Sequence, residues 1–302
     1  MKKFYKSTLC IALICCVLGL GLVIVGAVQG GSRLFLNMVK NNEFVFGDNN
    51  MHSLYWTDGN EKYEKKEYYF KKEEIDKLKL DVGVSILEIK YEDTEQYHIK
   101  MQQTSEGHGS CSVKDGVLYL ESGMEDHVIQ FGIAKTKPNK ITITIPKQDN
   151  IKEFELVLGA GSCKGKELMA DDIRIEVGAG NLELDKLKAE RTLNVLVGAG
   201  NMETDNIQAR QLEVEVGVGR YFADNVLATE SIDVTCDAGY VCMDMEDEEN
   251  SYNYDLVCSI GSIKLKDGQY RGVDFSKKID NDAQKNFTIE CNVGSIEIDF
   301  NK

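Results

Sequence analysis

The strongest constraint on this chain is a short glycine motif that recurs at nearly constant spacing. It reads Val-Gly-x-Gly at Val177–Gly180, Val197–Gly200 and Val216–Gly219. Aligned on the second glycine, the copies follow one another in nearly equal steps until a longer last one, at Gly161, Gly180, Gly200, Gly219, Gly239, Gly261 and Gly294. A fixed period of about 20 residues is typical of a solenoid, in which each repeat is one supersecondary unit.

The residues around each motif alternate between apolar and polar, as expected of half-buried strands. Ile173, Ile175 and Val177 precede the corner of one copy, and Leu182 and Leu184 follow it. One such unit cannot bury its apolar side alone, whereas stacked units share a core and each adds about 4.8 Å along the axis. The sequence therefore predicts an all-β, β-helix-like solenoid of about seven rungs of ~20 residues. The alternative is a meandering β-sandwich with glycine hairpins.

The serial glycines favour structural corners over a ligand loop, because a corner needs either positive φ or close backbone approach at every rung. No nucleotide-binding loop has this spacing. Asp185, Asp205 and Asp224 recur, but a calcium-binding β-roll has a nine-residue period. We therefore predict no cofactor and no metal site, and interpret these glycines as corners: Gly159, Gly161, Gly178, Gly180, Gly198, Gly200, Gly217, Gly219, Gly239, Gly261 and Gly294.

The N-terminal segment indicates membrane attachment. The run at 9–28 contains no charge and no proline. At about 20 residues it is long enough to span a bilayer as a helix. Lys2, Lys3 and Lys6 precede it and predict a cytoplasmic N-terminus with the rest of the chain outside. A cleavable signal peptide, with Val25-Gly26-Ala27 as its candidate cleavage site, is the alternative.

The N-terminal segment and the rest of the chain differ in their charge. Everything after Arg33 carries all 50 acidic and 31 of the 35 basic residues, a formal charge near −19 that argues against nucleic acid as a partner. The predicted division is a cytoplasmic N-terminus at 1–8, a transmembrane helix at 9–28, a juxtamembrane stalk at 29–74 and a β-strand-repeat ectodomain at 75–302.

Six of the nine cysteines lie outside the predicted span. Cys236, Cys258 and Cys291 each precede a repeat glycine by three residues, where other copies carry Val or Leu. We expect them to be buried as small apolar residues, although a disulfide between adjacent rungs is compatible with the spacing of stacked residues. Cys163 aligns with Leu182 and should also be buried, whereas Cys242 aligns with the outward Glu183.

Catalytic patterns are weak, and we predict that the chain is not an enzyme. The four histidines, His52, His98, His108 and His127, all precede the repeat and match no nucleophile arrangement. A carbohydrate-active β-helix enzyme would need carboxylates gathered with Arg or His on one face. His98 with Asp93 and Glu95 is the best such set.

The segments "IEVGAGNLEL", "LNVLVGAGNMET", "LEVEVGVGRYFAD", "LVCSIGSIKL" and "IECNVGSIEI" resemble the DUF4097 family of β-strand-repeat proteins, often described as candidate adhesins. The resemblance extends from about Leu78 to Phe300. It implies a β-helix-like ectodomain on the bacterial cell envelope, often behind one transmembrane helix, and in some relatives a link to envelope-stress signalling. It brings no catalytic residues.

Two functions follow as expectations. The first is a non-enzymatic envelope protein that displays an adhesin-like binding surface, and the second is a regulatory partner of another membrane protein. Two insertions after Gly239 are candidate binding surfaces: residues 266–286 and an acidic loop containing Asp244, Glu246, Asp247, Glu248 and Glu249. Because the last rung ends at the C-terminus, we also expect an uncovered sheet end, either polar and blunt or available for self-association.

Overall fold

The structure is a computed structural model that describes residues 64–104, 107–124, 138–147, 150–266, 268–271 and 274–300, together with the backbone of four short strands between residues 44 and 134. The predicted transmembrane helix at 9–28 lies outside the described residues. Among the described residues, no helix is long and apolar enough to cross a membrane.

Nearly all of the described chain is β-strand, which confirms the predicted class. Two three-residue 3-10 helices, Lys72–Glu74 and Glu249–Ser251, interrupt it. The strands are β1 (Phe44–Phe46), β2 (Leu54–Trp56), β3 (Glu64–Lys71), β4 (Lys77–Val82), β5 (Ser85–Glu92), β6 (Gln96–Gln103), β7 (Gly107–Lys114), β8 (Val117–Met124), β9 (Ile129–Gln130), β10 (Ile133–Ala134), β11 (Asn139–Pro146), β12 (Glu153–Leu158), β13 (Ser162–Gly165), β14 (Leu168–Val177), β15 (Asn181–Leu184), β16 (Leu187–Val197), β17 (Asn201–Val216), β18 (Arg220–Cys236), β19 (Tyr240–Met245), β20 (Tyr252–Cys258), β21 (Ser262–Leu265), β22 (Gly268–Arg271), β23 (Phe275–Ile279), β24 (Lys285–Cys291) and β25 (Ser295–Phe300).

The strands form a solenoid of stacked parallel levels, and this register excludes the sandwich alternative. Each level has one strand before the glycine corner, in a first sheet, and one strand after it, in a second sheet. The stacking order of the first sheet is β8, β4, β12, β14, β16, β17, β18, β24, β20. That of the second sheet is β11, β5, β13, β15, the start of β17, the start of β18, β19, β25, β21.

The described stack therefore has nine parallel levels, not about seven. The two additional levels lie at the N-terminal end, where Ser85 and Asn139 replace the second corner glycine and hide the repeat. Asn139 is fully buried and holds this irregular corner, since its side-chain amide donates hydrogen bonds to the carbonyl oxygens of His108 and Gly123 at 3.1 and 3.0 Å.

Chain order and stacking order differ at the C-terminal end. β24 and β25, the last strands of the chain, lie between β18–β19 on one side and β20–β21 on the other. The expectation of an uncovered last rung is therefore wrong. It fails because the stack is closed instead by the antiparallel strands β23 and β22, which pair with β20 and β21.

Antiparallel strands also close the N-terminal end, where β7 pairs with β8, and β6 with β11. β3 then pairs with β6 over eight residues, so the sheet includes residues 64–71, which the sequence had suggested were stalk. β3 and β23, outermost strands of the described sheet, carry several exposed lysines, a composition that discourages edge-to-edge aggregation.

A third, short side sheet begins only at the third level, where the segments 168–170, 187–189, 207–209 and 226–228 pair in parallel. Tyr91 closes its first edge. The Tyr91 hydroxyl accepts a hydrogen bond from the backbone N–H of Met169 at 3.1 Å and donates to the carbonyl oxygen of the same residue at 3.4 Å.

The core consists of inward rows that run through the levels. The row before the corner comprises Val82, Leu158, Val177, Val197, Val216, Cys236, Cys291 and Cys258, each with no exposed surface. The first level contributes the buried Ser122 to this row. Because the levels share their rows, no level has to bury an apolar face by itself.

Close backbone approach explains the corner glycines. A Cβ atom added to Gly180 would lie 2.3 Å from the carbonyl oxygen of Gly161 in the level below. The six other levels that have a second corner glycine show the same approach, with a carbonyl oxygen at 2.2–2.4 Å from the added Cβ atom. That oxygen accepts a hydrogen bond from the backbone N–H of Asn181 at 3.0 Å, so the ladder continues through the corner. Positive φ is not the reason, since Gly116 is the only described glycine that adopts it.

Candidate functional site

The most distinctive surface feature is a row of carboxylates on the outside of the second sheet, which crosses successive strands near their C-terminal ends. Asp205 pairs in register with Asp224, and Asp244 with Asp299, while Asp185 follows β15 one level before Asp205. Together these residues, hereafter the acidic row, occupy five consecutive levels: Asp185, Asp205, Asp224, Asp244 and Asp299. Adjacent members stand about 4.8 Å apart along the axis.

The acidic row carries little compensating charge. Among the described residues, only Asp299 has a basic partner, the Lys264 ammonium at 3.7 Å. Asp205 accepts hydrogen bonds from the backbone N–H of Asn206 at 2.8 Å and from the side-chain amide of Asn225 at 2.7 Å. Like charges on neighbouring strands repel, so the row is a local destabilising feature that packing elsewhere must offset.

Asp244 shows the electrostatic consequence. Burial raises its pKa above the usual range, and the neighbouring carboxylates Asp224 and Asp299 raise it further. Glu297, which pairs with Cys242 on the neighbouring strand, behaves in the opposite way because Lys264 and the Tyr240 hydroxyl donate hydrogen bonds to it and lower its pKa. Asp244, on the fourth of the five levels, is thus a position where added positive charge is favoured.

Two shallow depressions border the row. One, of about 440 Å³, is lined by Glu183, Asp185, Glu203, Asp205, Phe222 and Asp224, among others. The other, of about 660 Å³, lies at the N-terminal end, where Lys90 and Lys166 take the row position and Lys147 and Lys164 flank it. Lys164 is paired with Glu183 at 2.9 Å. At the row position itself, lysine on the second and third levels therefore gives way to aspartate on the next five.

The family model Toastrack DUF4097 matches residues 75–299. The chain belongs to this family. The resemblance to DUF4097 that the sequence indicated is thus confirmed. The Toastrack domain includes the levels that carry the acidic row.

Similar solved structures are distant. A proposed lipid-binding protein from Parabacteroides distasonis is 16% identical, with 81% of this chain and 98% of that chain covered and a TM-score of 0.46. A proposed adhesin from Bacteroides fragilis is 16% identical, with 78% and 97% covered and a TM-score of 0.42. A proposed cell adhesion protein from Clostridium sporogenes is 16% identical, with 80% and 100% covered and a TM-score of 0.36. No curated protein matches the chain.

The predicted acidic loop of the Toastrack domain divides into parts with different roles. Asp247 is structural, because its carboxylate accepts hydrogen bonds from the Tyr252 hydroxyl and the Lys285 ammonium, both at 2.7 Å. Asp244 belongs to the acidic row. Glu246 and Glu248 are exposed, and the backbone oxygen of Glu249 accepts a hydrogen bond from the Tyr254 hydroxyl at 2.6 Å.

The second insertion, residues 266–286, contains β22 and β23 and closes the C-terminal end of the stack. The paired parts of this insertion therefore have a structural role, and its role as a binding surface stays a prediction. The pairing consumes the backbone hydrogen-bonding groups that an open loop would leave available.

The predicted histidine set is not assembled. His98 contacts Glu67 instead, with 2.9 Å between its Nε2 atom and a carboxylate oxygen, and its ring stacks on Tyr69 at 4.3 Å. Glu95 pairs with Lys72. Hydrogen bonds from Tyr69 and His98 lower the pKa of Glu67. His52 and His127 lie outside the described residues.

The buried cysteines are where the alignment placed them. Cys163 pairs with Leu182 and is buried, whereas Cys242 is partly exposed in the outward row. Within the part of the chain that the structure describes, no three His, Cys, Asp or Glu side chains are arranged to hold a metal ion. Members of the acidic row stand side by side on successive levels and do not converge on one point.

Sequence reasoning noticed Asp185, Asp205 and Asp224 but missed the full row. The signal was available, because Asp occurs five residues after the second glycine in five copies of the repeat. In the two copies at Gly161 and Gly261 that position holds Lys166 and Lys266. A row of like charges on the outward face is found only by comparing the copies at that offset. The alternation of apolar and polar residues within one copy shows which side chains face outward but not which charge they carry in the other copies.

Proposed function

We propose that this chain is a non-enzymatic, membrane-anchored protein of the cell envelope, whose Toastrack domain binds a partner outside the membrane through the second-sheet face. The acidic row is the observation that carries the proposal. Four of its five carboxylates have no basic side chain within ion-pair distance among the described residues. Repulsion between them is relieved when a positively charged surface docks, because opposite potentials attract across an interface.

The stacked fold suits such a role. Nine levels fixed by in-register hydrogen bonds hold the outward side chains at a regular spacing, so little conformational entropy is lost when a partner binds. The row spans four steps of about 4.8 Å, roughly 19 Å. A partner with several cationic groups at comparable spacing could contact the row at more than one point, and multivalent contact raises overall affinity.

The location rests on the N-terminal sequence. The uncharged run at 9–28, preceded by three lysines, supports an uncleaved anchor with its N-terminus in the cytoplasm and the domain outside. Protease added to intact cells tests this directly. External location predicts digestion or release of the domain without lysis, whereas protection until lysis would reject it.

The binding face is tested with two charge-matched variants of the full chain. D205N/D224N/D244N removes three charges from the acidic row, and E213Q/E215Q/D233N removes three from the outward, exposed face of the first sheet. With the full chain solubilised in detergent, so that the anchor does not hold it on a membrane, we expect the first variant to lose retention on membrane-free cell-wall material and the second to retain it. Equal retention of both would contradict the proposed face.

A regulatory role is the second candidate, favoured by the exposed Glu246 and Glu248 on a loop that Asp247 and Lys285 hold in place. In that case, cross-linking in membranes should capture one specific membrane protein, and E246Q/E248Q should abolish the capture while acidic-row substitutions do not. Binding that depends on the acidic row, without a specific membrane protein, favours the adhesin-like role instead.

A further inference from the structure

Three cysteines form one uninterrupted inward row at the C-terminal end of the solenoid. Cys236 pairs in register with Cys291, and Cys291 with Cys258. All three are fully buried. Cys291 stands in the middle because its strand is inserted between the two levels that precede it in the sequence.

The geometry allows some pairs to form a disulfide and forbids another. Residues on adjacent levels have Cα atoms about 4.8 Å apart, within the roughly 4.4–6.8 Å that disulfides adopt. Cys236 and Cys258 are two levels apart, about 9.6 Å, which exceeds the limit of about 7 Å. Burial raises the pKa of Cys291, and the neighbouring Cys236 and Cys258 thiols raise it further.

We propose that Cys291 is the obligatory partner in a single disulfide, formed with Cys258 or Cys236, that fixes the inserted level in the stack. The two thiols lose two protons and two electrons as the S–S bond forms. The electrons reduce the disulfide of a small-molecule or protein oxidant to two thiols, by way of a mixed disulfide that Cys291 or its partner attacks. The third cysteine of the row stays a thiol.

Burial determines when this reaction can occur. It raises the pKa of Cys291 to about 12, so the thiolate that attacks a disulfide is scarce in the folded stack. The bond therefore forms while β24 is entering the sheet or when the C-terminal levels open locally. Once formed it is shielded from reductants for the same reason.

The identity of the bond also reports the order of the levels. The step from Gly239 to Gly261 is close to the regular repeat, so an arrangement without the insertion would stack those two levels directly. Cys236 would then lie beside Cys258 and be able to bond with it. A Cys236–Cys258 bond would therefore indicate a stack without the inserted level, and a bond to Cys291 would indicate the stack with it.

The test refolds the full chain from denaturant in a glutathione buffer with the oxidised form in excess. Remaining thiols are alkylated under denaturing conditions, and the linked peptides are mapped by mass spectrometry. We expect a Cys258–Cys291 or a Cys236–Cys291 disulfide in the wild-type chain. In C291V the total disulfide within the row should fall at least about tenfold, since Cys236 and Cys258 are not within range of each other. C163A, which alters a buried cysteine outside the row, should leave the linkage unchanged.

Valine occupies the same row position on several other levels, so C291V should fold, and C236V provides a second variant in which all linkage shifts to Cys258–Cys291. The oxidised chain should also unfold at a higher denaturant concentration than the reduced chain. A Cys236–Cys258 bond, the absence of any bond within the row, or linkage that survives C291V would each overturn the proposal.

Discussion

Substituting Gly180 by alanine tests the explanation of the corners most sharply. Its added Cβ atom would lie 2.3 Å from the carbonyl oxygen of Gly161, roughly 1 Å closer than van der Waals packing permits. The oxygen cannot turn away without losing the hydrogen bond that it accepts from Asn181. The two levels must therefore separate locally, against a spacing of about 4.8 Å that every neighbouring hydrogen bond maintains.

The expected free-energy change follows from opposing terms. Overpacking in a rigid site costs about 3 kcal/mol at the upper end of its usual range. Alanine also restricts the unfolded chain, which returns about 0.4–1 kcal/mol. The net loss of about 2–3 kcal/mol should lower the melting temperature of a domain of this size by roughly 4–12 °C.

Gly178, in the same corner, provides the matched control. An added Cβ atom there would lie 3.1 Å from the Gly159 carbonyl oxygen, so a small adjustment suffices. Other levels carry Asp237, Ser259 and Asn292 at that position. G178A should change stability by less than about 1 kcal/mol. Circular dichroism melts of the full chain measure both variants, and equal effects would refute close approach as the reason for the second glycine.

Three further predictions concern single contacts. Because burial and neighbouring carboxylates raise the folded-state pKa of Asp244, its ionised form destabilises the fold at neutral pH and the penalty is relieved as pH falls through that pKa. D244N should therefore raise the melting temperature at pH 7, by a margin that disappears at acidic pH; a constant margin would contradict this. K285M should cost about 1–2 kcal/mol in urea unfolding by leaving the partly buried Asp247 carboxylate with the Tyr252 hydroxyl but without its cation, and no added loss is expected when Asp247 is already Asn. Y91F should cost about 1 kcal/mol by exposing the first edge of the side sheet, and an unchanged urea midpoint would show that the hydroxyl contributes nothing.

The repeat made most of the inward architecture predictable. A buried row requires an apolar side chain at the same offset in every copy, so alignment with Val216 placed Cys258 and Cys291 in the core from the sequence alone. The corner glycines were equally visible, because a close backbone approach admits no side chain. Both signals come from local constraints that recur with the period.

The order of the levels was not predictable in this way. Stacking one level on another requires only matching rows, and the rows of β24–β25 match those of β18–β19 and of β20–β21 equally well. The two N-terminal levels were missed for a related reason, since Ser85 and Asn139 satisfy the corner without its glycine signature. The acidic row depends on this order, because Asp299 joins Asp244 only through the insertion.

The most direct test of the proposed binding face is the salt dependence with which membrane-free cell-wall material retains the full chain solubilised in detergent. Charge attraction at an exposed row is screened over about 8 Å at physiological ionic strength and over about 3 Å at 1 M salt. The proposal predicts that wild-type retention falls steeply with salt, while D205N/D224N/D244N binds weakly at every concentration. Retention of that variant at the wild-type level across the whole titration would show that the acidic row is not the binding surface.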